Sequence, residues 1–368
     1  MRGFQSVVRV LLSAGVFCLI LTPSAWSQTF HWLGTLQPFT SSSAYGVSSD
    51  GIAVGESSQA FRWTSSLGMQ SLGTLGGATS HAWGISADGS VIVGSAQIAS
   101  GQNRAFRWTQ ATGMQELGVL VPNSSSHAHA ASADGAVVVG YALNASAQRR
   151  AFRWTQATGL QELGTLGGTE SWAYGVSADG SVVVGSSQFG VFGPYRAFRW
   201  TQDTGLQELG TLGGMESFAT AVSADGSVVV GSANGSDGLG RAFRWTQATG
   251  MQDLGALAGF NQSTAYGVSA DGSVVVGSSG GRAFRWTAGG GMEDLNITYA
   301  GLFNGDLQFA FAVSGDGRFI VGQGVNWDTY RTEGFLIDTQ AAPIPEPSTL
   351  ALTGSGLLSL LALRRRRM

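Results

Sequence analysis

Aromatic and histidine side chains stand at irregular positions of this otherwise regular 368-residue sequence, and they are its best candidates for binding a ligand. Such rings beside Asn, Asp and Ser suit the faces and hydroxyl groups of sugars. We therefore predict a ligand-binding face of this chemistry. Its candidate residues are His81, Trp83, His127, His129, Trp172, Tyr195, Phe218, Tyr299, Trp327 and Tyr330. The alternative is that half or more of these rings pack in the interior.

Histidines and acids offer two further kinds of chemistry. Three imidazoles, His81, His127 and His129, could together ligate zinc, but no carboxylate recurs beside them. A glycoside hydrolase or lyase would need two carboxylates facing each other, about 5–10 Å apart. The acids available in variable segments, none of them in a recognisable motif, are Glu170, Glu216, Asp237, Asp306, Asp328 and Glu333. We therefore assign no catalytic, metal-binding or cofactor-binding residue and expect no cofactor.

The composition narrows the class of protein. Charged residues make up 12% and apolar residues 43%, with 56 Gly and 7 Pro. This combination excludes a disordered polar chain, a coiled coil and collagen, and short Val-, Ala- and Ser-rich runs between Gly-rich turns favour an all-β fold. Without its two ends the chain keeps 14 Arg and 22 acidic residues, a net charge of −8 that argues against nucleic acid as a partner.

The elements that position these side chains recur seven times between residues 28 and 340. A Ser-x-Asp-Gly turn has its aspartates at Asp50, Asp88, Asp134, Asp179, Asp225, Asp271 and Asp316. A Phe-Arg-Trp triplet begins at Phe61, Phe106, Phe152, Phe198, Phe243 and Phe284 and diverges at Phe335. A repeat of about 45 residues is typical of folds in which each unit packs on its neighbours.

Each copy contains four strand-like segments. In the fourth copy, residues 173–177 alternate small and large side chains, 181–185 are mostly β-branched, 197–201 place Phe and Trp on one face, and 206–209 follow a second turn. Four antiparallel strands in each of seven copies predict a seven-bladed β-propeller. A β-solenoid is the rival fold, disfavoured because its coils lack two tight hairpins per repeat.

The seventh copy holds three strands, and a matching fourth strand stands at the other end of the sequence, at residues 30–36. We therefore predict that this N-terminal strand completes the last blade and closes the ring, which removes the open edges of an arc of blades.

Three repeated features have structural interpretations. The arginine of each Phe-Arg-Trp triplet needs a partner because an unpaired, half-buried guanidinium is costly. The turn aspartate and the acid of the fourth strand, such as Glu116 or Glu162, are both candidates, and we expect a structural ion pair in each blade. The triplet tryptophans are expected to fill the space between blades, and the Asp-Gly pair to form a tight hairpin with positive φ at both residues.

The N-terminus has the three-part layout of a secretory signal peptide. Arg2 and Arg9 precede an apolar run at residues 10–21, and small residues at 25 and 27 predict cleavage after Ser27. The single cysteine, Cys18, lies in this segment. An uncleaved membrane anchor is the alternative, but the run is short for a span.

At the C-terminus, the tripeptide 345–347 precedes an apolar segment at residues 350–363, predicted to be a short helix, and a basic cluster. The residues of this motif are Pro345, Glu346, Pro347, Arg364, Arg365, Arg366 and Arg367. The arrangement resembles the PEP-CTERM sorting signal of Gram-negative bacteria. That resemblance implies recognition by an exosortase, transient membrane anchoring and delivery to the cell surface or extracellular matrix. A simple tail anchor is the alternative, although an ordinary span would be longer.

The repeat itself resembles the bacterial extracellular HAF repeat, through its Leu-Gly-x-Leu, Ser-Ala-Asp-Gly and Ala-Phe-Arg-Trp elements. The His-Ala-Phe triplet that names the family reads Arg-Ala-Phe here, at Arg104, Arg150, Arg196, Arg241 and Arg282. The resemblance implies a surface repeat protein and transfers no catalytic residue.

Three domains result: a signal peptide (1–27), a seven-bladed propeller (28–340) and a sorting tail (341–368). We expect an exported, non-enzymatic protein that binds or organises exopolysaccharide, or a surface partner, through the variable-loop face. A glycoside hydrolase or lyase on that face is the alternative, and a matrix filler without a specific ligand is the third possibility.

Overall fold

The computed structural model describes residues 28–38 and 40–340, which form seven four-stranded antiparallel sheets. The prediction of a seven-bladed, all-β propeller is confirmed. The predicted signal peptide, the predicted apolar helix at each end and the predicted sorting tail lie outside the described residues. Within the described part of the chain, no helix has the length and apolar composition needed to cross a membrane.

The first three blades follow one another along the chain. Their strands are β2 (Ser43–Val47), β3 (Ala53–Ser57), β4 (Gln59–Thr64) and β5 (Gly68–Ser71); β6 (Gly76–Ile85), β7 (Val91–Ile98), β8 (Asn103–Thr109) and β9 (Gly113–Gly118); β10 (Ser126–Ala131), β11 (Val137–Leu143), β12 (Arg149–Thr155) and β13 (Gly159–Gly164).

The next three blades have the same order from the innermost strand outward. Their strands are β14 (Gly167–Val176), β15 (Val182–Phe189), β16 (Tyr195–Thr201) and β17 (Gly205–Glu208); β18 (Gly213–Val222), β19 (Val228–Gly235), β20 (Gly240–Thr246) and β21 (Gly250–Asp253); β22 (Ser263–Val268), β23 (Val274–Ser279), β24 (Arg282–Thr287) and β25 (Gly291–Asp294).

The seventh blade joins the two ends of the propeller. It contains β26 (Gly305–Val313), β27 (Phe319–Asn326) and β28 (Arg331–Asp338), preceded by the short helix α1 (Leu295–Thr298), and its outer strand is β1 (Thr29–Trp32). Strand β1 pairs antiparallel with β28, and the ring of Phe30 stacks 4.7 Å from that of Phe303. The predicted closure of the ring by the N-terminal strand is confirmed.

Each blade contributes one fully buried phenylalanine to the core, from the Phe-Arg-Trp triplet or its seventh-blade equivalent. The rings have no exposed surface and are Phe61, Phe106, Phe152, Phe198, Phe243, Phe284 and Phe335. The clusters around them combine the valine runs of one blade with residues of the next, and the triplet tryptophans pack against these clusters. The tryptophans therefore fill the space between blades, as the sequence predicted.

The Ser-x-Asp-Gly turns differ from the predicted hairpin in their backbone conformation. In the fourth blade, Gly180 has φ of 73°, whereas Asp179 does not have a positive φ. The aspartate instead accepts hydrogen bonds from the Ser177 hydroxyl and the Ser181 amide, which lower its pKa to about 2. The expectation of two positive φ values is wrong because this carboxylate organises the turn from an ordinary backbone conformation.

The triplet arginines also have partners that the sequence did not predict. Four of them donate from Nε to the glycine carbonyl of the next blade's Asp-Gly turn, as Arg153 does to Gly180 at 3.1 Å. In five blades a fourth-strand acid pairs instead with the arginine of Arg-Ala-Phe, as Glu162 does with Arg150 at 2.9 Å. The predicted triplet ion pair is therefore wrong in the four blades with the carbonyl bond, because the turn presents a carbonyl at the blade junction. In the sixth blade the triplet arginine Arg285 also pairs with a fourth-strand acid, Glu293, at 2.8 Å, and there the predicted ion pair is confirmed.

Candidate functional site

The innermost strand of every blade carries the same succession of side chains around a central channel. Its upper position forms a ring of residues, here called the mouth ring: Ser43, His81, His127, Trp172, Phe218, Thr264 and Phe309. Two residues further along is the collar: Tyr45, Trp83, His129, Tyr174, Thr220, Tyr266 and Phe311. Below the collar lies an aliphatic lower ring: Val47, Ile85, Ala131, Val176, Val222, Val268 and Val313.

A β-bulge places each collar side chain. The register between the first two strands shifts at the collar residue in all seven blades, as at Tyr174 between Ala173 and Gly175. An extra residue in one strand turns its side chain away from the regular alternation of the sheet. Collar residues therefore line the channel, whereas the alanine before each of them is buried in the blade.

Six collar rings are in contact around the channel. The ring of Tyr45 lies 4.6 Å from that of Trp83 and 5.1 Å from that of Phe311, and His129 stacks 5.1 Å from Tyr174. The pairs Trp83–His129 and Tyr266–Phe311 complete the series at 6.3 and 5.3 Å. The fifth blade interrupts it with an aliphatic hydroxyl side chain, that of Thr220.

The channel enclosed by the collar and the lower ring has a volume of about 660 Å³. This size lies in the range of small-molecule sites, about 300–1,000 Å³. Its walls are aromatic and aliphatic side chains with glycine or alanine between them, so it offers stacking faces and few charges.

One polar group above the collar centres on Glu56, opposite Ser43 in the mouth ring. Its carboxylate accepts a hydrogen bond from the Tyr45 hydroxyl at 2.9 Å and contacts Nδ1 of His81. Burial by itself would raise the pKa of Glu56, but the hydrogen bonds from His81 and Tyr45 outweigh it and hold this pKa below its usual value. An ionised carboxylate therefore lies between two aromatic side chains at this edge of the mouth.

A second polar group lies across the third and fourth blades. Glu170 accepts from the Tyr195 hydroxyl at 3.0 Å and from the Arg149 guanidinium at 3.3 Å. The same guanidinium lies 5.7 Å from the centre of the Trp172 ring, and the Tyr195 ring packs edge-on to Trp172 at 5.2 Å. These contacts hold the mouth-ring tryptophan in one orientation.

Two histidines of the third blade are neutral at neutral pH. Burial lowers the pKa of His127 to about 4, with smaller contributions from the nearby His129, His81 and Arg149. Burial also lowers the pKa of His129 to about 4, although its Nδ1 bonds the Ala173 carbonyl at 2.9 Å. Since a carbonyl accepts but cannot donate, Nδ1 carries the proton of His129 and Nε2 is an acceptor.

Seven predicted ligand-face residues, at positions 81, 83, 127, 129, 172, 195 and 218, come together at the mouth and collar. The prediction is wrong for Tyr299, which is 4% exposed and belongs to the core around α1. Trp327 and Tyr330 are exposed at the hairpin between β27 and β28, and no ring contact joins them to the mouth. The three histidines weighed above as possible zinc ligands were not assigned a metal, and among the described residues no group of three or more metal-ligating side chains is found.

Sequence reasoning missed three mouth residues, Glu56, Tyr141 and Arg149. Tyr141 stacks 4.7 Å from His127. Tyr141 and Glu56 follow the second strand's glycine and lie opposite the mouth ring in the sheet register. Most other blades have serine there, so departure from the repeat consensus was the signal that could have identified them.

Comparison with known proteins identifies the C-terminal segment. Residues 343–367 match the PEP-CTERM protein-sorting motif. The match indicates an exported protein, transiently anchored at the membrane and recognised by exosortase-type sorting machinery. No curated protein matches the chain.

Comparison with solved structures finds similarity at low sequence identity. An oligogalacturonate lyase in complex with manganese is 13% identical over 88% of this chain and 99% of its own, with a TM-score of 0.53. TolB from Acinetobacter baumannii is 14% identical over 82% of this chain, with a TM-score of 0.46, and this chain spans 64% of its length. The Cps50 (Swd1) propeller domain of Myceliophteria thermophila is 11% identical over 84% of this chain and 99% of its own, with a TM-score of 0.49. At 13% identity, the similarity to the lyase concerns the fold alone.

Proposed function

We propose that this protein is a non-enzymatic component of the cell surface or extracellular matrix that binds exopolysaccharide at the mouth of its propeller. The convergence of aromatic rings with ionised and neutral polar groups around one opening carries this proposal. Ring faces stack on the apolar faces of sugars, while carboxylate, hydroxyl and imidazole groups can bond sugar hydroxyls.

Both ends of the described chain lie on the face of the propeller that carries the Asp-Gly turns. Thr29 pairs with Asp338, and Thr339 bonds the Arg318 carbonyl beside the seventh blade's Asp-Gly turn, so the described chain begins and ends on the turn face. The mouth lies on the opposite face. We further propose that residues 1–27 are removed on export and that the sorting tail delivers the propeller to the surface, in keeping with the resemblance of its repeat to the extracellular HAF repeat.

Three of the six candidate catalytic acids are held by other side chains of the protein, which supports binding without catalysis. Glu170 is held by Arg149 and Tyr195, Asp237 pairs with Arg241, and Glu333 is 4% exposed and bonded by Asn326 and Thr329. A carboxylate held in this way is poorly placed to act as a nucleophile or to exchange a proton with a substrate.

The test is calorimetric titration of the purified exported protein with exopolysaccharide from the cells that make it. We expect Trp172→Ala to weaken binding at least tenfold, because aromatic stacking on the mouth is lost. Trp327→Ala is the matched control, since Trp327 is 48% exposed on the hairpin between β27 and β28, outside the mouth ring and collar, and it should bind like the wild type. Equal binding by both variants would contradict the proposal.

A second measurement on the same samples separates binding from catalysis. The wild-type protein should release no reducing ends and no unsaturated products from the polysaccharide over long incubation. Release of either by the wild type, with loss of that activity in Glu170→Gln, would indicate a glycoside hydrolase or lyase instead.

A further inference from the structure

The collar has one gap, at the fifth blade. Six of its side chains are aromatic and touch in sequence from Tyr266 through Phe311, Tyr45, Trp83 and His129 to Tyr174. Thr220 stands between the two ends of this series, and its hydroxyl is turned to the Ala265 carbonyl of the sixth blade at 2.9 Å. The aromatic constriction is therefore incomplete at this one blade.

The channel reaches the mouth at the same blade. Among the mouth-ring residues, Phe218 is the one that lines the channel, and it lies two residues before Thr220 on β18. At the other blades, the collar residue is aromatic and the mouth-ring residue is not among those that line the channel. The lining of the channel and the sequence of the collar thus both single out the fifth blade.

The residues that line the channel below this opening favour an uncharged ligand. No Asp, Glu or Arg is among the described residues that line the channel. A carboxylate or ammonium group entering it would lose its hydration without a partner of opposite charge, which is strongly unfavourable. Ring faces of Tyr174 and Tyr266 flank the gap, and Nε2 of His129 offers a hydrogen-bond acceptor one blade further.

We infer that the channel is a pocket for a single uncharged sugar, at the chain end or on a branch, which enters from the mouth through the gap at Thr220. This inference rests on the proposed binding of polysaccharide at the mouth and specifies how the polymer is engaged. The internal part of the chain would lie across the mouth ring, and its terminal or branch residue would occupy the channel. A polymer that has only charged residues at its ends and branches would not be held in this way.

The test is to close the gap. Thr220→Tyr should weaken binding of the purified exopolysaccharide at least tenfold, because a Tyr side chain completes the collar and blocks the opening. Tyr already stands at the equivalent position in blades one, four and six, so the scaffold accommodates it there. Thr220→Val is the matched control, since it keeps the size of the side chain and should bind within twofold of the wild type.

The Thr220→Tyr variant distinguishes insertion of a sugar into the channel from binding of the polymer on the mouth alone. If the polymer only lay on the mouth, Thr220→Tyr would leave its affinity unchanged or increase it through an additional stacking face, and that result would overturn the inference. Equal losses in the Val and Tyr variants would also overturn it, because the gap would then not be the cause. Thr220→His, which introduces the side chain that blade three carries at His129, decides the matter should the Tyr variant fail to fold.

Wild-type binding distinguishes this inference from the proposed function. If the wild-type full-length protein does not bind the polysaccharide, both fail. If it binds and Trp172→Ala weakens binding while Thr220→Tyr does not, the mouth remains the binding site and the channel is excluded. Oligosaccharides of graded length, released from the polymer by mild acid, should bind the wild type and lose affinity for Thr220→Tyr in parallel with the polymer.

Discussion

The glycine that ends each second-strand hydrophobic run allows the innermost strand to approach closely at its mouth-ring residue. A Cβ atom on Gly185 would overlap the carbonyl oxygen of Trp172, and the equivalent glycine of every other blade faces the equivalent carbonyl. These glycines have ordinary φ values, so the requirement is for space and not for a left-handed backbone. The close contact between the second strand and the strand that carries the mouth ring and collar therefore requires a residue with no side chain.

We expect Gly185→Ala to destabilise the propeller by about 3 kcal/mol, because a backbone oxygen cannot move aside as a flexible side chain can. Gly289→Ala is the control, since a Cβ atom there would meet nothing within 4 Å. Chemical denaturation of the two variants measures the difference. Equal midpoints would show that the contact between the two strands tolerates a side chain at this position.

The histidines of the third blade make stability depend on pH. The folded-state pKa values of His127 and His129, about 4, are below the usual value of 6.5, so the unfolded chain binds protons first as pH falls. The contribution of each neutral histidine to the free energy of unfolding is complete above pH 6.5. It is lost as pH falls towards 4, and the loss approaches about 3 kcal/mol for each residue.

The melting temperature should therefore fall between pH 6.5 and 4 in the wild type and fall less in a His127→Ser, His129→Tyr double variant. Both replacements occur at the equivalent positions of the first blade, as Ser43 and Tyr45. Turn aspartates with pKa values near 2 lose their contribution only at lower pH, so they do not obscure this window. If the melting temperatures of the two proteins fell by the same amount between pH 6.5 and 4, this account would be refuted.

Among the elements, the strands and their order were predictable because hydrophobic runs and turns repeat with the same period. The position of β1 followed from a count of strands, since the seventh copy lacked one. The collar bulges, by contrast, depend on a register between strands that residue types alone do not show. The arginine partners were mispredicted for a related reason: the turn carbonyl that accepts from Arg153 belongs to the next blade.

The contribution of β1 to the stability of the closed propeller can be tested at Leu33. Leu33 directly follows this strand, is 5% exposed, packs with Trp63 and Leu336, and donates its amide to the Gly334 carbonyl at 2.8 Å. We expect Leu33→Ala to cost about 3 kcal/mol and deletion of residues 28–36 to lower the melting temperature further. Leu67→Ala, at a 63% exposed leucine, should have little effect. An unchanged melting temperature in the deletion variant would show that the ring does not need this strand.

At the scale of the whole molecule, the propeller and the sorting motif are separable. The motif occupies residues 343–367, whereas the seven blades end at Asp338. Deletion of residues 341–368 should leave the melting temperature of the exported protein unchanged and remove it from the membrane fraction of producing cells. Fractionation with an antibody to the propeller measures the second effect, and continued membrane association would assign anchoring to another segment.

The most direct measurement of the central claim is a crystal structure of the exported protein with oligosaccharides prepared from the exopolysaccharide. The account predicts sugar rings stacked on Trp172 and Phe218, with one uncharged residue below Thr220 inside the channel. Saccharide bound on the turn face or on the outer strands, with the mouth and channel empty of sugar, would contradict it.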